Sequence, residues 1–154
     1  MPELAERMLA HPFLAGFEPD DVERLAAVSV GPIEWPAEAI VARTGAVADR
    51  CYLVERGDLA VEVQRPGRPP RVIQTVNDGE VLGWSWLVEP YRWSFDVRSL
   101  TPTTAIELDG PALRAAMEAD PSLGYRIVTR FTAVMAGRLE ATRLQLLDVY
   151  GTRD

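Results

Sequence analysis

The chain of 154 residues contains one cysteine, one histidine and no lysine. Cys51 therefore has no partner for an intramolecular disulfide. A lone histidine, His11, is too little for a zinc site or for a metalloenzyme that uses several histidine ligands. The sequence pattern also gives no support for a catalytic set that pairs a histidine with a serine or cysteine nucleophile, or for a catalytic pair of acids. We therefore expect neither a disulfide-stabilised protein nor an enzyme, and no resident metal or cofactor.

Long apolar runs are also missing. No stretch approaches the roughly 18 residues that a membrane-spanning helix needs, and the start of the chain lacks the basic and apolar segments of a signal peptide. All 16 basic residues are arginine, yet the formal net charge is −7. Such a balance disfavours nucleic-acid binding through phosphate neutralisation. We expect a cytoplasmic protein that binds neither membranes nor nucleic acid directly.

The residue pattern divides the chain into three zones. Residues 1–30 are helical in pattern, and Pro19-Asp20-Asp21 is typical of a helix start. Residues 31–109 contain short alternating runs separated by Gly and Pro at about ten-residue spacing, which indicates a sandwich or barrel. Residues 110–154 return to a helical period. The pattern predicts a single α+β domain over residues 1–154.

The last zone predicts one long amphipathic helix. From Leu123 onward, apolar residues recur at three- and four-residue steps over about seven turns. Such a helix is longer than a small β-domain needs for its own cover, so it either packs on that domain or pairs with a second copy. We favour a homodimer, with the contact face formed by Ile127, Phe131, Val134, Met135 and Leu139.

Aromatic residues concentrate in one segment. Residues 82–97, LGWSWLVEPYRWSFDV, hold three of the four tryptophans of the chain. Glycines precede this segment at regular places: Gly45 and Gly57 bracket the strand-like run RCYLVER, and Gly79 and Gly83 stand in VNDGEVLGW. Tight turns that need a positive φ are where glycine has a backbone advantage.

This order of glycines, β-rich runs and helical tail resembles the cyclic-nucleotide-binding domain superfamily, in particular its catabolite activator protein-like effector domains. The resemblance covers almost the whole chain. It implies a double-stranded β-helix, a jelly-roll also called a β-roll, flanked by N-terminal helices and a long C-terminal helix. It also implies a phosphate-binding turn after Gly83, in which amide groups hold the cyclic phosphate.

The resemblance breaks at the two side chains that matter most for a cyclic nucleotide. Trp84 stands where the family has the glutamate that binds the ribose hydroxyl. Counting back four residues from Val97 places Trp93, rather than Arg92, at the position of the phosphate-binding arginine. Arg92 is expected to face the other way, unless a bulge shifts the register. A bacterial branch of the superfamily carries a similar tryptophan-rich segment, which implies no particular ligand.

Three interpretations of the tryptophans follow. The indoles fill the cavity that a nucleotide would occupy, or they belong to a modified ligand site, or they form a surface for a partner protein. We favour a regulatory sensor module without a DNA-binding domain, which binds a small ligand, with anions and cyclic nucleotides among the candidates, and signals through its C-terminal helix. The alternative is a ligand-free structural or interaction domain. The predicted site consists of Gly83, Trp84, Ser85, Trp86, Leu87, Arg92, Trp93 and Ser94.

Overall fold

The structure is a computed structural model that describes the backbone of residues 2–151 and the side chains of residues 3–147. It divides into two compact units, the first ending at Ala116 and the second beginning at Met117. That the whole chain forms one domain stays a prediction. No helix in the described range combines the length and apolarity that crossing a membrane requires.

Residues 2–151 contain four helices and a short 3₁₀ turn in addition to the strands. They are α1 (Pro2–Leu9), the 3₁₀ turn Pro12–Leu14, α2 (Pro19–Ala27), α3 (Gly110–Ala119) and α4 (Pro121–Gly151). α2 begins with Pro19 in the first turn, followed by Asp20 and Asp21, as the sequence predicts. Proline lacks an N–H that this position does not need, and acids suit the positive end of the helix dipole.

In the part of the chain that the structure describes, eight strands form two four-stranded sheets. They are β1 (Ser29–Trp35), β2 (Ile40–Ala42), β3 (Arg50–Arg56), β4 (Leu59–Arg65), β5 (Arg68–Val76), β6 (Val81–Leu82), β7 (Asp96–Ser99) and β8 (Thr103–Asp109). The strand orders are β1-β8-β3-β6 and β2-β7-β4-β5, with antiparallel pairing. The predicted β-roll, with N-terminal helices and a long C-terminal helix, is confirmed.

The inward faces of both sheets supply the core. Val61 on β4 lies opposite Val97 on β7, and both belong to a buried apolar cluster with Ala42, Tyr52, Val54, Leu59, Val76, Leu82 and Ala105. Trp35 and Tyr52 meet edge to face, with ring centroids 5.1 Å apart. Burying a Val or Leu side chain contributes about 1.5–3 kcal/mol, so this cluster holds the roll together.

The turn between β5 and β6 delivers the chain to the predicted site. Gly79 adopts φ +79 and its N–H donates to the Val54 carbonyl at 2.9 Å, while the Val54 N–H donates to the Glu80 carbonyl at 2.9 Å. These two bonds attach the turn to β3. β6 follows at once and ends beside Gly83, so the position of Gly83 is set by the sheet rather than by a free loop.

Candidate ligand site

Residues 83–91, called the cassette below, leave β6 through a glycine turn. Gly83 has φ +97, and a Cβ built there would lie only 2.9 Å from the Trp93 indole. Both the backbone conformation and the neighbouring ring therefore require glycine. A single helical turn follows, in which the Leu87 N–H donates to the Trp84 carbonyl at 3.0 Å and the Val88 N–H to the Ser85 carbonyl at 3.4 Å.

The beginning of this helical turn presents hydrogen-bond donors that are unpaired among the described residues. Within the described residues, the backbone N–H groups of Trp84 and Ser85 and the Ser85 hydroxyl have no hydrogen-bond partner. Both residues are half-buried. Because a half-buried donor is stabilised when it forms a hydrogen bond with an acceptor, these three groups can bind an oxygen atom of a ligand.

Trp86 is buried, unlike Trp84. The Trp86 side chain is 0% exposed, and its indole N–H donates to the Gly83 carbonyl at 3.0 Å. A Cβ added at Gly110, the first residue of α3, would lie 2.8 Å from the Trp86 Cβ, so helix and indole are in close contact. Trp86 thus anchors the cassette to the fold.

α3 also holds the far end of the cassette. The Arg114 guanidinium donates to the Trp86 carbonyl and lies over the Tyr91 ring, 4.0 Å from its centroid. Tyr91 adopts φ +56, a conformation that is uncommon outside glycine. A cation over an aromatic face is attracted to it, so Arg114 connects two points of the cassette to α3. The sequence reasoning did not identify this arginine.

The register of the segment after the cassette decides which side chain faces inward. Trp93 is half-buried and packs against the core cluster, on the same side as Val97. Arg92 is exposed and donates to the Gly45 carbonyl at 2.9 Å. This arrangement agrees with the count back from Val97. Of the other predicted site residues, Leu87 is half-buried and Ser94 is exposed.

Residues 32–120 match the family model of the cyclic nucleotide-binding domain. The chain belongs to the cyclic nucleotide-binding domain family. No curated protein matches the sequence.

Solved structures of this family share the fold. A cyclic nucleotide-binding domain from Methylobacillus flagellatus KT is 20% identical, over 95% of this chain and 84% of that chain, with a TM-score of 0.82. Thermus thermophilus catabolite activator protein is 20% identical, over 91% of this chain and 63% of that chain, with a TM-score of 0.69. The regulatory domain of Toxoplasma gondii PKA, solved with cAMP, is 17% identical over 83% of this chain and 49% of that chain, with a TM-score of 0.66.

In this member of the cyclic nucleotide-binding domain family, the arginines around the cassette that the structure describes, Arg50, Arg92, Arg98 and Arg114, all bond to other groups of the fold. Arg50 pairs with Glu107 at 3.4 Å, and Arg98 pairs with Glu62 at 2.8 Å and also with Glu38. The hydrogen bonds from Arg98 to Glu62, and then to Glu38, raise the pKa of Arg98. With Arg92 and Arg114 bonded as described above, each of these four guanidinium groups has a partner in the fold.

Asp96 is a buried acid next to Glu62 in the same region, and its carboxylate oxygens also accept hydrogen bonds. It accepts from the Thr44 N–H at 2.7 Å, from the Thr44 hydroxyl at 2.9 Å and from Gln64 at 2.6 Å. The bond from the Thr44 backbone does most to lower the pKa of Asp96, against the effect of its burial. Asp96 therefore has a structural role, joining β7 to β4 and to the segment after β2.

The residues predicted to form one dimer face on α4 differ in their exposure to solvent. Ile127 and Phe131 are buried within the single chain, Val134 and Met135 are half-buried, and Leu139 is 53% exposed. Exposed or half-exposed residues of a different stripe recur at three- and four-residue steps: Tyr125, Val128, Thr132, Met135, Leu139, Thr142 and Leu146. That spacing is a heptad repeat.

Proposed function

We propose that this domain is a regulatory module that binds a small ligand at the cassette and carries out no catalysis. The observation that carries the proposal is the set of three donors in the helical turn, the backbone N–H groups of Trp84 and Ser85 and the Ser85 hydroxyl, which have no hydrogen-bond partner among the described residues. Membership of the cyclic nucleotide-binding domain family supports it, because the same turn is where this family is expected to hold its ligand. The ligand would present a hydrogen-bond acceptor to these groups.

Cyclic nucleotides themselves fit this cassette poorly. The glutamate expected for the ribose hydroxyl is replaced by Trp84, and the arginine expected for the phosphate by Trp93. Each missing partner removes a charge-assisted hydrogen bond worth about 1.5–3 kcal/mol. The sum of about 3–6 kcal/mol corresponds to roughly a hundredfold weaker binding or more. We infer instead a ligand with an uncharged or weakly charged acceptor and a flat apolar body, because indole rings favour stacking with such a body.

The test is a calorimetric and thermal-shift titration with cAMP, cGMP, aromatic amides and aromatic carboxylic acids. A ligand present at a hundred times its dissociation constant should add about 2.7 kcal/mol to the free energy of unfolding. Ser85→Ala removes one donor and should weaken binding about fivefold or more. Ser122→Ala is the matched control, since Ser122 is exposed and lies on α4, outside the predicted site; the affinity of this variant should equal that of the wild type.

The alternative function is a ligand-free domain whose site is occupied by its own tryptophan. The observation that favours it is the position of Trp93, against the core cluster and over Gly83. The variant Trp84→Glu/Trp93→Arg separates the two, because it places both family side chains back. If the variant binds cAMP and the wild type binds none of the compounds tested, the alternative holds and the sensing proposal fails.

We also propose that α4 pairs with α4 of a second copy through the heptad stripe. The stripe lies apart from the buried residues Ile127 and Phe131, so it stays available for a partner helix. Leu139→Glu and Leu146→Glu place charges at its a positions and should convert a dimer to a monomer in light scattering. Leu144→Glu is the matched control, because Leu144 is 56% exposed but lies opposite the stripe. A wild-type monomer at micromolar concentration would refute the pairing.

A further inference from the structure

His11, the single histidine of the chain, is buried between the N-terminal helices and the β-roll, with 4% of its surface exposed. Its Nε2 lies 2.7 Å from the Val54 carbonyl oxygen, and the Phe13 N–H donates to its Nδ1 at 3.1 Å. A carbonyl only accepts and an amide N–H only donates. The ring is therefore neutral, with its proton on Nε2.

The same contacts attach the N-terminal segment, α1 to α2, to the β-roll. The Val54 carbonyl that accepts from His11 also accepts from the Gly79 N–H at 2.9 Å. Pro12, which follows His11, lies so close to Gly79 that an added Cβ would come within 2.9 Å of its ring. One imidazole thus connects the N-terminal segment to β3 and to the turn before β6.

The ionisable groups around His11 offer little compensation for a positive charge. A cleft of about 370 Å³ is lined by His11 together with Arg7 of α1, Glu55 of β3 and Asp78 of the β5–β6 turn. Arg7 already engages both oxygens of Glu55, one of them at 3.0 Å. The 3₁₀ turn contributes no acid. Among the described residues no side chain of α2 lines this cleft.

We propose that His11 is a proton-sensitive latch for the N-terminal segment. When the ring is protonated, Nδ1 carries a hydrogen that points at the Phe13 N–H, so an attraction becomes a clash between two donors. The charge would also be buried where Glu55 is already paired with Arg7 and Asp78 already accepts from the Gly57 N–H at 2.7 Å, which is costly. The segment then detaches from β3, and the turn at Gly79 loses the packing of Pro12.

Physical chemistry fixes the direction of the pH dependence. Burial lowers the pKa of His11, and the Val54 carbonyl and Glu55 oppose this to a smaller extent. The folded state therefore binds the proton less readily than the unfolded chain, whose histidine pKa is about 6.5. The stabilising contribution is fully present above that pH and is lost as the pH falls through the folded value, by up to about tenfold in the equilibrium constant per pH unit.

Two measurements on the full chain test the latch. Hydrogen exchange between pH 7.5 and 5.0, corrected for the intrinsic rate, should show residues 3–27 losing protection at low pH while β4 keeps it. The ring-proton NMR signal of the single histidine should titrate below pH 6.5 with the same midpoint. Unchanged protection of residues 3–27 down to pH 5.0 would overturn the proposal, and so would a ring that titrates at or above 6.5.

Variants separate the latch from general acid sensitivity. His11→Gln keeps a side-chain donor within reach of Val54 but does not titrate, so protection of the segment should become independent of pH. Glu55→Gln removes the nearby negative charge and should move the midpoint of the wild-type transition to lower pH. If His11→Gln retains the wild-type pH dependence, the proton acts elsewhere and the proposal is wrong. Should that variant fold poorly, the NMR titration of the wild type still decides whether His11 is the group that binds the proton.

Discussion

Replacement of Trp86 by phenylalanine is the sharpest test of the distinction between anchoring and ligand-facing tryptophans. Trp86→Phe removes the indole N–H that the Gly83 carbonyl accepts at 3.0 Å, in a side chain that is 0% exposed. Leaving a buried acceptor without a donor costs about 1–3 kcal/mol. A residual cavity of about 40 Å³ adds about 1 kcal/mol, at about 24 cal/mol per Å³. The free energy of unfolding should fall by about 2–4 kcal/mol in all.

The matched control is the same substitution two residues earlier. Trp84 is half-buried, and within the described residues its indole N–H has no hydrogen-bond partner, so Trp84→Phe should change stability by less than about 1 kcal/mol. Urea unfolding followed by circular dichroism measures both variants, and Trp86→Phe should also melt about 6–12 °C below the wild type. Equal stabilities of the two variants would refute the assignment of Trp86 as the anchor of the cassette.

Two further predictions concern glycine conformation and the contacts of α3. Arg114→Leu should lower the free energy of unfolding by about 1.5–3 kcal/mol, because the charge-assisted hydrogen bond to the Trp86 carbonyl is lost. A double-mutant cycle with Tyr91→Leu should give a coupling energy of about 0.5–1 kcal/mol. A coupling energy of zero would contradict the contact between Arg114 and Tyr91. Gly57→Ala should cost about 3 kcal/mol or more, because its φ is +121 and the new Cβ would lie 2.3 Å from the Thr103 hydroxyl. Gly67→Ala, with φ +68 and open space around it, should cost only about 1 kcal/mol in the same urea experiment.

Most of the fold follows from local patterns in the sequence. Period-two runs separated by glycine give strands because alternate side chains point to opposite faces. Turn glycines such as Gly79 and Gly83 mark places where only a residue without Cβ fits. The count back from Val97 places Trp93 inside and Arg92 outside, and the structure has Trp93 half-buried and Arg92 exposed, although residues 94 and 95 form a bend in which side chains do not alternate. These parts depend on neighbours in sequence.

The site depends on contacts between residues far apart in sequence, which a pattern does not reveal. Arg114 reaches the Trp86 carbonyl across 28 residues, and nothing local distinguishes it from a solvent-facing arginine of α3. Trp84 and Trp86 are equivalent in the sequence, yet one is half-buried and the other fully buried. Likewise the apolar pattern of α4 does not distinguish its buried face from its exposed face, since Phe131 is buried and Leu139 is exposed.

The position of β5 at the end of its sheet has a consequence for the behaviour of the protein at high concentration. An outer strand invites another chain to add to it through free N–H and carbonyl groups. β5 begins Arg68-Pro69-Pro70-Arg71; its two prolines carry no N–H, and its two arginines repel an identical strand. Edge-to-edge aggregation through β5 is therefore disfavoured at high protein concentration.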